Sequence, residues 1–255
     1  IGDDRQETIG TRDALARALL LAGEAEEAEV LYAETIDIAR RVLGPEHTLT
    51  LIVQVNAGNA YLLAQRPAEA APLLSEALAV RRRVSGDDHR ETIVALSNVA
   101  VLFEQEGKLV EAEAMQREAL ERLTRTLGAE HTLALNAQMS LASVLRRKGN
   151  ASEAESLLRA LLPSFERRSG PDSLRVAGLR FLLGQALADL GRFQEAHAEL
   201  EPAVARIFAA PSTQEARANE CIDAMVSLFE RWDAAEPGKG HDAEAARWRA
   251  KRSDL

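Results

Sequence analysis

Residues 44–85 read GPEHTLTLIVQVNAGNAYLLAQRPAEAAPLLSEALAVRRRVS, and the spacing of this stretch returns on either side of it. Glycines stand at Gly2, Gly44, Gly86, Gly128 and Gly170, each 42 residues after the last. An acid follows two residues later every time: Asp4, Glu46, Asp88, Glu130 and Asp172. A Glu-Ala pair recurs at Glu27-Ala28, Glu69-Ala70, Glu111-Ala112, Glu153-Ala154 and Glu195-Ala196. A small residue recurs at Ala16, Gly58, Ala100, Ala142 and Gly184. Four columns in phase define a tandem array, and a fixed period of this length is the mark of stacked supersecondary units.

Within the quoted unit, apolar residues three and four apart predict two amphipathic helices, one over Thr48–Ala64 and one over Pro67–Val84. Pro67 suits a first helical position, where the missing N–H had no partner. The break is Gln65-Arg66 here but carries Gly23, Gly107, Gly149 or Gly191 elsewhere, and glycine supplies the left-handed residue just past a helix end. The Ala28 column on second helices and the Ala16 column on first helices let the two axes approach closely. Leu19, Tyr61, Phe103, Leu145 and Leu187, with Tyr32, Leu74, Leu158 and Leu200, fill the remaining space. One such hairpin cannot bury its apolar face alone, whereas stacked neighbours can. The expected fold is therefore all-α, a right-handed superhelical α-solenoid of antiparallel helix pairs. Residues 1–210 form five units, and 211–255 form an atypical last unit with a capping helix. In that last unit Met225, Val226 and Phe229 are expected to face inward. A loop at 236–240 delays the Glu-Ala pair to Glu244-Ala245.

Composition narrows the function. The 255 residues carry a formal net charge of −9, which disfavours a nucleic-acid backbone or an anionic membrane surface as partner. No run of 18 apolar residues exists, so the sequence predicts no membrane span. Cys221 is the single cysteine, which rules out an internal disulfide or a cysteine-based metal site. Only 4 of the 31 basic residues are lysine, as in proteins encoded by GC-rich bacterial genomes. The chain opens on Ile1, and its first unit begins GDDRQET much as the third begins GDDHRET. It is therefore expected to be part of a longer repeat-bearing protein. The expected compartment is cytoplasmic, or extracytoplasmic if a membrane anchor lies upstream.

The spacing Gly58…Tyr61…Ala70…Leu74…Ala77 resembles the tetratricopeptide repeat consensus. The period of 42 and segments such as LGPEHTLTL and EAEAMQREAL resemble the kinesin-light-chain subclass. The terminal stretch RWDAAEPGKGHDAEAARWRAK also resembles the last repeat of bacterial Ser/Thr protein kinases that carry such arrays. The resemblance implies a scaffold that is not an enzyme, has no cofactor, and holds a protein or peptide in a concave groove lined by first helices. By the same resemblance the groove positions are Ala14, Asn56, Asn98, Ser140 and Leu182, then Arg17, Asn59, Val101, Ser143 and Gln185, with Asn136 one turn earlier. Asn56 and Asn98 match asparagines that clamp peptide backbone in the family, and an amide suits that task because it both donates and accepts. The peptide-binding set is thus Asn56, Asn59, Asn98, Asn136, Ser140 and Arg17. Arg12 and Arg180 are the other candidate groove cations, too few for a clamp on a C-terminal carboxylate. The alternative reading is self-association, a homodimer or brace within a multidomain signalling protein.

Other columns read as structure. His47, His89 and His131 lie 42 apart, and equivalent positions in adjacent units are about 10 Å apart, the spacing of packed helices. They cannot share one ion and are expected to satisfy backbone groups in the turns. Arg41, Arg83, Arg125 and Arg167 end the second helices, where a cation offsets the negative end of the helix dipole. They are expected to pair with the linker acids five residues on. His197 and His241 are expected to be exposed. Gly238-Lys239-Gly240 lacks the spacing of a phosphate-binding loop.

Overall fold

Each linker glycine stops one helix and sets the entry to the next. Gly44, Gly86, Gly128 and Gly170 have φ between 82° and 91°, with ψ between 148° and 166°, a region open essentially to glycine alone. The computed structural model describes residues 6–210 and 215–254. Gly2 and Asp4 of the repeat columns lie outside them. Among the described residues there are twelve α-helices and no strand.

The helices are α1 (Gln6–Ala22), α2 (Ala25–Leu43), α3 (Thr48–Leu63), α4 (Pro67–Ser85), α5 (Arg90–Gln105), α6 (Leu109–Leu127), α7 (Thr132–Arg147), α8 (Ala151–Ser169), α9 (Leu174–Asp189), α10 (Phe193–Phe208), α11 (Glu215–Ala235) and α12 (His241–Ala250). The chain divides into two compact units, Ile1–Ala137 and Gln138–Leu255, and the division falls within α7.

Two columns govern every hairpin. Ala28, Ala70, Ala112, Ala154 and Ala196 are all fully buried, while the glutamate before each lies in the first turn of its helix, where the dipole favours an anion. The small column opposite admits a large partner. A Cβ on Gly58 would lie 2.6 Å from Leu74 Cγ, and one on Gly184 would lie 2.5 Å from Leu200 Cγ. These two hairpins therefore close to a distance that even alanine would obstruct.

Helix starts are capped as the histidine column suggests. His47, His89 and His131 accept through Nδ1 from the backbone N–H of Leu49, Glu91 and Leu133, at 3.2, 3.3 and 3.2 Å. Ser173 takes over the task before α9, accepting from Val176 N–H at 3.3 Å. Between hairpin helices, Gln65 holds φ = 58° where the other units have glycine. A left-handed conformation costs an L-residue about 1–2 kcal/mol. Gln65→Gly is expected to stabilise the chain by about 0.5–1 kcal/mol once the greater freedom of glycine in the unfolded chain is subtracted. Urea melts of the two proteins check this, and an unchanged or lower midpoint refutes it.

In the first unit, α2 and α4 each pack on their own first helix and on the next one, and α1 lies against α3 and α3 against α5. Second helices of this unit meet through long side chains, as where Arg40 of α2 donates to Glu76 of α4 at 2.6 Å, and no close backbone approach joins two of them among the described residues of the unit. The first helices are thus the closely spaced, inner ones. Leu51, Val55 and Leu62 share a core with Leu74, Ile93 and Leu96. Val53, Ala57 and Ala60 instead pack with Ile9, Tyr32 and Ile36 of the preceding pair. The first pair has no such predecessor among the described residues: Thr11, Leu15 and Ala18, the counterparts of Val53, Ala57 and Ala60, are exposed.

The outer surface is laced by arginines, with partners other than the expected ones. Arg83 and Arg125 bind Glu46 (2.6 Å) and Asp88, the acids 37 residues earlier and not those five later. The Arg83 hydrogen bond holds the Glu46 carboxyl below its usual range. Arg66 to Glu29 and Arg192 to Glu155 repeat the 37-residue step at 2.5 and 3.1 Å. Each column therefore ties one hairpin to its predecessor.

In the second unit, Met225 and Phe229 of α11 are buried and Val226 is half-buried. His197 and His241 are not exposed as anticipated, because aromatic rings cover them. The His241 ring stacks on Trp232 with centroids 4.1 Å apart, and His197 lies 5.3 Å from Phe229. No helix of the described residues is long and apolar enough to cross a membrane.

Candidate binding face

The packing just described leaves one face of α3 and of α5 unassigned. In α3 the face left over carries Ile52, Asn56 and Asn59, all half-buried, and Leu63, which is 62% exposed. In α5 it carries Val94, Asn98, Val101 and Gln105, again half-buried. In α1 the same face carries Gly10, Ala14 and Arg17. Residues at spacings of three and four share one side of a helix, so these form a continuous strip along the inner wall of the first unit.

The strip is fastened from helix to helix. Asn56 Nδ2 donates to Asp13 Oδ1 at 2.8 Å, and Asp13 is only 5% exposed. Arg17 Nε lies 3.5 Å from the other Asp13 oxygen. Gln105 Nε2 donates to the Leu62 carbonyl at 2.9 Å, and Arg231 makes the equivalent bond to the Ala188 carbonyl at 2.8 Å in the second unit. Asn59 and Asn98 form no side-chain hydrogen bond among the described residues.

The anticipated groove residues therefore divide. Asn56 and Arg17 are brought together on a buried carboxylate that the sequence reading did not single out. Asn59 and Asn98 present free amides. Asn136 and Ser140 are half-buried on α7, on opposite sides of the division between the compact units. In the second unit Leu182 and Gln185 are half-buried. Arg12 is not available to a guest: it binds Glu34 and, at 3.2 Å, Thr35 Oγ1, both on its own hairpin. Arg180 is held between Glu199 and Glu166, at 2.8 Å each.

Two further polar groups stand out. Gln116 is fully buried in α6, and neither of its amide atoms has a partner among the described residues. Tyr32 is also buried, its hydroxyl unpartnered, and burial together with the Asp13 charge pushes its phenol well above the usual range. Both lie in the column that Leu74 and Leu200 occupy elsewhere; the sequence reading passed over Gln116, although its place as the polar member of an apolar series was the signal that marks it. Cys221 is buried, which pushes its thiol up to about 11. No group of three metal-ligating side chains occurs among the described residues.

This assembly of helix hairpins matches the tetratricopeptide repeat family model over residues 7–83, 53–125, 91–166 and 133–206. The chain belongs to the tetratricopeptide repeat family. Among solved structures it is similar to kinesin-light-chain tetratricopeptide-like repeats from Podosopora anserina, at 24% identity over 78% of this chain and 94% of that one, with a TM-score of 0.61. BtubC (BKLC) from P. vanneervenii is 18% identical over 91% of this chain and 93% of its own, with a TM-score of 0.65. A Rap protein complexed with competence and sporulation factor is 13% identical over 94% of this chain and 72% of its own, with a TM-score of 0.68. These likenesses describe fold. No curated protein sequence matches the chain.

Proposed function

We propose that the chain is an interaction module that holds an extended segment of another polypeptide along the inner strip of its first unit. The observation that supports this most directly is the pairing of unoccupied amides, Asn59 and Asn98, with half-buried aliphatic neighbours Ile52, Val94 and Val101. Neither amide is among the buried polar atoms without a partner, so both reach solvent, and an extended backbone offers a donor and an acceptor that each can take in place of water. The Rap protein, similar in fold, was solved with competence and sporulation factor bound, so a fold of this kind accepts a guest.

Asn59→Ala with Asn98→Ala is the appropriate test, because Asn56→Ala would strip a hydrogen bond from buried Asp13 and perturb folding. Each amide lost removes about 0.5–1.5 kcal/mol, so the double variant should bind about 5–150-fold more weakly by titration calorimetry against a guest captured by the wild-type chain. Its urea midpoint should be nearly unchanged. Full-strength binding by the double variant refutes the assignment.

A further inference from the structure

We infer that the guest is an uncharged, aliphatic stretch from the interior of a polypeptide, and not an acidic segment or a C-terminal carboxylate. The inference rests on the reading above and concerns the chemistry of the same strip. Among the described residues of the first unit Arg17 is its one charged side chain, and Arg17 already lies 3.5 Å from Asp13. Asp13 cannot swing away to release it, being 5% exposed and bonded to Asn56 at 2.8 Å. A guest carboxylate placed on Arg17 would therefore meet a fixed negative charge beside the positive one, with no net attraction to offset its lost hydration.

The other guanidinium of α1, Arg12, is committed to Glu34 and Thr35. Among the described residues the strip thus has no spare cation, and what it does offer is neutral. Asn59 and Asn98 stand on adjacent inner helices, whose axes lie about 8–10 Å apart when packed. An extended chain covers that distance in about three residues at ~3.3 Å each. Two main-chain contacts three residues apart leave the intervening side chains against Ile52, Val94 and Val101, which select for aliphatic groups. Recognition without ion pairs is also insensitive to salt, since there is no charge attraction to screen.

The test uses the whole chain and a random short-peptide library in which each sequence is displayed with both a free carboxylate and a carboxamide terminus. Binding is read at about 50 mM and about 500 mM salt, which brackets weak and strong screening, for the wild type, for Arg17→Gln and for the Asn59→Ala, Asn98→Ala double variant. The expected result is enrichment of aliphatic, uncharged peptides, equal retention of the two terminal forms, less than about twofold change with salt, and the same indifference to terminus and salt in Arg17→Gln. Enrichment of Asp and Glu, dependence on a free carboxylate, or about tenfold loss at high salt or in Arg17→Gln overturns the inference. If the double asparagine variant still loses binding in that case, the strip remains the binding face. Peptides retained equally by the double variant, or no peptide retained at all, overturn the location along with the chemistry.

Discussion

Leu183→Ala is expected to cost about 2–5 kcal/mol of unfolding free energy, the usual penalty for emptying a core leucine site, whereas Leu15→Ala should change stability by less than about 0.5 kcal/mol. The two residues occupy the same position in their repeats. Leu183, in α9, is fully buried, and so are its counterparts Ala57 and Val99. Leu15, in α1, is 52% exposed. The contrast isolates stacking from hairpin packing, because the intrinsic helix preferences of the two substitutions are the same. Urea unfolding followed by circular dichroism compares them. An equal loss from both would mean that Leu15 supports its own hairpin, and that the column does not act between hairpins.

Gln116→Leu should stabilise the chain by about 1–3 kcal/mol, the range over which a buried amide without hydrogen bonds destabilises a protein. Leucine is close to glutamine in volume and already fills the equivalent sites at Leu74, Leu158 and Leu200, all buried to 1% or less. The substitution therefore needs no repacking, and it removes a donor and an acceptor that have no partner among the described residues. A raised urea midpoint is the expected result. A lowered one would show that the amide meets a need that leucine cannot.

Repetition made the fold legible. Five copies of one spacing expose the linker glycines, the Glu-Ala step and the helix pair together, and the boundaries of α3 and α4 fall within one residue of their expected places. The candidate strip was legible only in outline. Column position put Asn59 and Asn98 on first helices, where both are half-buried, but it could not show that Asn56 is engaged, because its partner Asp13 belongs to the preceding repeat. The same blindness to neighbours misassigned the pairs of Arg83 and Arg125, which reach back 37 residues where reach along one helix end suggested five forward. The aromatic packing of His197 and His241 was equally hidden, since it depends on α11 and α12, which depart from the 42-residue period. Contacts within a repeat follow from its sequence, whereas contacts between repeats depend on the stacking geometry.

The linker glycines carry a consequence for how such a chain can be rebuilt. Gly44 and Gly86 hold nearly the same backbone angles, φ 91° and ψ 160° against φ 82° and ψ 166°. The 42-residue cassette that begins at one and ends before the other therefore presents matching junctions at both ends. Inner-strip residues such as Asn59 and Asn98 could be duplicated or exchanged as whole cassettes, changing what the wall reads while every seam keeps its geometry.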